Sequence, residues 1–152
     1  LKSFHCPKLM KEDFSYFLWK HQKFPLNNLT TTQGSSLQVV NQGIYNTHAG
    51  PDFSDARLKI DLLDWIGHVE IHIKSSDWFA HQHQQDSNYD AVILHVVWED
   101  DVPVVTQSGM LLPTLELSKI VSPKFLEHYQ KQFLHIPEYS FSINRLPFFR
   151  NW

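Results

Sequence analysis

Cysteine is nearly absent from this sequence. Cys6 is the only one in 152 residues, so no disulfide can close within the chain, and a reducing, cytoplasmic setting is expected. Cys6 precedes Pro7 and has no evident activating neighbour, which argues against a catalytic thiol. No stretch reaches the roughly 18 apolar residues that a membrane span needs, and Leu1–Lys8 holds no apolar signal-peptide core. Basic charge is scarce too. Thirteen Lys and Arg stand against sixteen Asp and Glu, for a formal net charge of −3. A nucleic-acid-binding domain usually carries a basic footprint, so nucleic acid as a partner would need basic surface from outside this chain. Ten histidines soften the balance, because some become cationic near pH 6.5. A Gly-rich phosphate loop, a Gly-x-Ser-x-Gly elbow and a Cys-x-x-Cys pair are all missing, which argues against nucleotide-dependent and serine-hydrolase chemistry. Internal repeats and low-complexity segments are also absent.

What is present suits a globular domain. Hydrophobic residues make up 42% and charged residues 19%, enough apolar surface to build a core. The length favours one domain over 1–152. The chain starts without Met and stops on Phe148-Phe149-Arg150-Asn151-Trp152, so it is expected to be part of a longer polypeptide, with the aromatic stretch Phe141–Trp152 as a contact for the remainder or for a partner.

Periodicity places the elements. Met10, Phe14, Phe17, Leu18 and His21 recur at three and four, which predicts a helix over 10–21 ended by Pro25 and Asn27-Asn28. Leu37–Val40 reads as a strand. Ala56, Leu58, Ile60 and Leu62 alternate with Arg57, Lys59 and Asp61, which predicts a half-buried strand over 53–62. A turn around Leu63-Asp64 leads to a second strand, Gly67–Lys74, and the short link makes the two an antiparallel hairpin. Ser75-Ser76-Asp77 offers a helix N-cap. Ala91–Trp98 is a continuous apolar run and reads as a central strand buried on both faces. Val102–Thr106 and Leu111–Leu117 are further strand candidates. Ser122-Pro123 opens a last helix with Phe125, Leu126, Tyr129 and Phe133 on its apolar face, ended by Pro137. The order predicts an α+β domain with a central mixed sheet flanked by helices.

The chemistry-bearing residues gather around the hairpin. His68, Glu70, His72 and Lys74 share one face of Gly67–Lys74, with Glu70, His72 and Lys74 each about 7 Å from the next. Such a row is either solvated or functional. Asp52 stands just before the partner strand. An Asp on one strand, and a Glu with a basic residue two positions on along its neighbour, is the layout of the PD-(D/E)xK nuclease core. Two carboxylates hold Mg²⁺ or Mn²⁺ through oxygen. The metal acidifies a bound water, and a basic residue orients or deprotonates it. His72 occupies the slot that Lys usually holds, and Lys74 is the substitute on the same face. A segment with Trp78, His81, His83 and Asp86 follows, loosely similar to the Trp-His segment of very-short-patch repair nucleases. His81 and His83 would bind the scissile phosphate or act as acid. With His72 and His95, these histidines also offer Zn²⁺ or another transition metal a set of imidazoles. The plainer alternatives are a core histidine at His95, solvated side chains at His81 and His83, and a helix cap at Asp77. The metal ligands expected from this layout are Asp52, Glu70, His72 and His95. A non-catalytic binding domain with a His-rich metal site is the competing account.

The stretches Ala49-Gly50-Pro51-Asp52-Phe53, Gly67-His68-Val69-Glu70-Ile71-His72, Ser75-Ser76-Asp77-Trp78, His81, His83, Asp86, Tyr89-Asp90 and Val92–Val97 resemble an uncharacterised bacterial family, domain of unknown function 2851, over about residues 29–117. The resemblance implies that Asp52, Glu70, His72, Asp77, His81, His83 and His95 form a site. It implies no particular activity, and the nuclease reading rests on layout.

Overall fold

The computed structural model describes residues 8–133. These fall into two compact units that divide between Ile120 and Val121.

The first unit opens with α1 (Lys8–His21). Phe14, Phe17, Leu18 and Trp19 bury its inner face. His21, expected on that face, is exposed, because the helix ends there. Gln22 turns left-handed at φ 51°, and the N–H groups of Gln22 and Lys23 reach back to the carbonyls of Trp19 and Leu18, a Schellman-type stop.

Seven strands follow: β1 (Leu29–Thr30), β2 (Ser36–Asn41), β3 (Ile44–Tyr45), β4 (Phe53–Ile60), β5 (Leu63–Lys74), β6 (Val92–Glu99) and β7 (Thr114–Glu116). They form one mixed sheet in the order β1-β2-β4-β5-β6-β7, with β3 also paired to β4. The β1, β2, β4 and β5 pairings are antiparallel, while β5–β6 and β6–β7 are parallel. The class is α+β, as the element order implies. The apolar run Ala91–Trp98 becomes β6, buried from Val92 to Val97, because it lies between β5 and β7.

Several expected boundaries move. The hairpin turn is Asp61-Leu62, not Leu63-Asp64. Both residues have positive φ and Ile60 pairs with Leu63, so this is a two-residue turn of the type matched to sheet twist. Leu62 therefore sits at the tip, 88% exposed, instead of continuing the buried row. β5 gains four residues at its start. Val102–Thr106 forms no strand beyond a single bridge, Val105 to Leu111, and Leu111–Leu117 shortens to Thr114–Glu116 with a 3-10 turn behind it. Ser76 makes no side-chain cap bond. Its hydroxyl donates to Asp101 instead.

Two backbone features set the site. Gly67 lies so close to β6 that an added Cβ would meet Ala91 O at 2.5 Å; the missing side chain lets His68 N–H donate to that carbonyl. In β4 the register shifts between Phe53 and Ala56, with Asp55 left-handed at φ 55°. This bulge adds one residue to β4. Without it Asp52 would continue opposite Ile71; with it Phe53 pairs with Val69 and Asp52 falls opposite Glu70. Asp55 itself is exposed.

The second unit holds α2's longer counterpart, α3 (Pro123–Phe133), where α2 is the single turn Asp77–Ala80 of the first unit. Tyr129 is buried, and Phe125 and Leu126 are half-buried. The Phe133 side chain, Cys6, Pro137 and Phe141–Trp152 lie outside the described residues. Among those described, no helix is long and apolar enough to cross a membrane.

Candidate metal centre

Glu70 is the hub. Register puts it beside His95 of β6 in the sheet interior, and only 5% of it is exposed. Its two oxygens face different neighbours. Oε2 accepts from the Asp52 backbone N–H at 3.1 Å. Oε1 lies 3.4 Å from His72 Nε2 and 3.2 Å from His83 Nε2.

The Asp52 side is a carboxyl pair. Asp52 Oδ1 accepts from the Tyr16 hydroxyl at 2.7 Å and Oδ2 from Ile71 N–H at 2.8 Å. Burial pushes Glu70 up to about 8. Burial, then the Glu70 charge, pushes Asp52 up to about 7. Glu70 is buried and Asp52 partly so, and two adjacent negative charges shielded from water repel, which favours a proton on the pair. The nearby Glu12 charge acts in the same direction on both. Burial and the Asp52 charge raise Tyr16, which therefore stays a hydroxyl donor.

The histidine side is built by three segments. His72 on β5 is buried, and Nδ1 lies 2.8 Å from His95 Nε2. His72 Nε2 lies 3.2 Å from His81 Nδ1. His81 ends α2, Gln82 turns left-handed at φ 59°, and His83 starts a 3-10 turn. The reversal at Gln82 returns both rings toward His72. His83 stacks on Tyr89 at 3.7 Å between centroids. Asp86 spends its carboxylate on Asn88 N–H, capping the next 3-10 turn. Burial lowers His83, and burial lowers His95 to about 3, so His95 is neutral. His83 Nε2 is within ion-pair distance of Glu70 but lacks hydrogen-bond alignment and is otherwise unpartnered.

His72, His81 and His83 each bring a ring nitrogen within 4.8 Å of the others, so the three could hold a metal ion. His72 and His83 are buried and His81 is exposed.

The chain belongs to the family described as protein of unknown function (DUF2851). The family model matches residues 12–138. Comparison with curated proteins and with solved structures found no match. The DUF2851 match covers the whole cluster, from Tyr16 to His95, and names no chemistry for it.

The other expected site residues have different partners. Lys74 is exposed at the end of β5, and its backbone N–H donates to Asp77. Asp77 is thus tied to the strand end. His95 is a buried partner of His72. Tyr16, Tyr89 and Glu12 were not anticipated. For Glu12 and Tyr16 the one available signal is their spacing of four along a helix, which puts them on one face.

Proposed function

We propose that this protein holds a transition-metal ion between Glu70 Oε1, His72 Nε2, His81 and His83, and that the centre hydrolyses phosphodiesters. The carrying observation is a match of edges. Ligand atoms of a tetrahedral ion with bonds near 2.0–2.1 Å stand about 3.3 Å apart. Three separations here are 3.2, 3.4 and 3.2 Å. Three imidazoles and one carboxylate favour an ion of the Zn²⁺ or Mn²⁺ kind over Mg²⁺, which prefers oxygen. Such an ion acidifies a bound water and draws charge from a phosphoryl oxygen. Glu70 would hold such an ion through Oε1, and Asp52, kept in place by Tyr16 and Ile71 N–H, is the carboxyl to which we assign the role of base. His81, the exposed ligand, marks the side on which substrate enters. The phosphodiester assignment rests on layout: Asp52 opposite Glu70, with His72 two residues on, in an antiparallel hairpin flanked by a parallel strand.

Purified protein loaded with Zn²⁺ or Mn²⁺ should hydrolyse bis(p-nitrophenyl) phosphate and cleave DNA or RNA, and Glu70→Ala should not. Metal-loaded protein without turnover on any of these would favour the competing reading, a binding domain with a metal-stiffened core. That reading draws on the exposed position of Lys74 and on the net charge of −3, which weakens the attraction for phosphate.

A further inference from the structure

We propose that His95 is a positioning residue: its Nε2 accepts the proton on His72 Nδ1 and so aims the lone pair of His72 Nε2 at the metal. The inference rests on the metal-centre reading above and goes beyond its four ligands.

The geometry is a ring-to-ring bond of 2.8 Å between His72 Nδ1 and His95 Nε2, with the rings at 89°. His95 is wholly buried, and its other nitrogen, Nδ1, has no partner. It therefore has one hydrogen-bond engagement, and that is to His72. The rigid placement comes from the sheet. β5 and β6 are parallel, with Glu70 paired to His95 and His72 to Val97. Trp78 closes over His95 edge-on at 5.4 Å.

A neutral imidazole has one N–H and one lone pair. The bond can be filled in two ways. In one, His95 Nε2–H donates and His72 carries its proton on Nε2, pointing at Glu70 and His81. In the other, His72 Nδ1–H donates to a lone pair on His95 Nε2, and His72 Nε2 is bare. Only the second can ligate. Both arrangements hold two ring protons: in the second the His95 proton moves to Nδ1 as the His72 proton moves to its own Nδ1, so the exchange gains and loses none. A ligating histidine whose other N–H is accepted by a fixed group is held in orientation and made a stronger donor. A neutral histidine in the acceptor role leaves the metal's net charge untouched, unlike the carboxylate often found there.

The test is Zn²⁺ titration of wild type, His95→Gln and His95→Phe, with ring-nitrogen NMR of ¹⁵N-histidine-labelled wild type. His95→Phe should bind Zn²⁺ about 10–100-fold more weakly, the range for losing such a partner. His95→Gln, which keeps an acceptor oxygen, should recover part of that loss. In zinc-loaded wild type the His72 proton should be on Nδ1. A folded His95→Phe protein that binds Zn²⁺ as wild type does overturns the positioning role alone; a zinc-loaded His72 protonated on Nε2 overturns that role together with the assignment of His72 Nε2 as a ligand. The NMR readout stands even if the variants do not fold. Wild type that binds no Zn²⁺ overturns the metal centre and this role with it.

Discussion

The two halves of β5 invert the usual rule of burial. Toward the hairpin tip, Leu63 and Ile66 are exposed, Ile66 at 71%, and Trp65 is partly exposed. Toward the other end, Glu70 and His72 are buried. Scattered surface apolar residues are ordinary, but buried titratable groups cost free energy unless they are paired. The contrast teaches where function lies. The buried end sits between β4 and β6, where a charge persists only with partners, and each polar group there faces another: Glu70 with Asp52, His72 with His95 and His81, His83 with Glu70.

The largest effect that would break this comparison is loss of the hub. Glu70→Ala should weaken Zn²⁺ binding by more than about 100-fold, beyond the 10–100-fold typical of an outer partner, while sparing the fold. Calorimetric titration with circular dichroism checks both. Next comes strand spacing. Gly67→Ala should destabilise the protein by about 1–3 kcal/mol, the usual range for overpacking, because its Cβ would meet Ala91 O. Urea unfolding measures it.

The carboxyl pair gives a pH signature with a definite sign. Asp52 and Glu70 have folded pKa values of about 7 and about 8, above their ordinary 3.8 and 4.5. Between those limits the folded state binds more protons than the unfolded state, so metal-free stability should fall as pH rises from about 4 to 8. Asp52→Asn should flatten that slope, and saturating Zn²⁺ should remove or reverse it, since the metal replaces the proton. Melting temperature against pH, with and without metal, reads this out. The smallest effect lies at the tip. Leu62 is left-handed at φ 67°, which costs a non-glycine residue roughly 1–2 kcal/mol. Leu62→Gly should therefore stabilise slightly, by up to about 1 kcal/mol, and leave metal affinity unchanged.

Much of the frame was legible from residues alone. The apolar stripe Phe14, Phe17, Leu18 marks α1, and the unbroken run from Val92 to Val97 marks β6. Those signals are local and strong. The sequence puts Asp52 just before the strand that pairs with the one carrying Glu70, but the bulge that sets Asp52 opposite Glu70 leaves no signal, since Asp55 is an ordinary residue in an unusual conformation. Likewise the return of His81 and His83 to His72 depends on one left-handed residue, Gln82, and nothing in a glutamine announces that. The burial of the Glu70–His72 row is tertiary: the same alternation would suit an open sheet face. Tyr89 beneath His83 follows from the packing of two 3-10 turns, which carry no periodic signal.

Zinc titration of the wild-type protein beside Glu70→Ala and His81→Ala at neutral pH tests the central claim most directly. The account predicts one Zn²⁺ per chain, binding lost or strongly weakened in both variants, and proton release on binding in the wild type. Wild type that takes up no Zn²⁺ or Mn²⁺, or zinc affinity unchanged by Glu70→Ala, would contradict it.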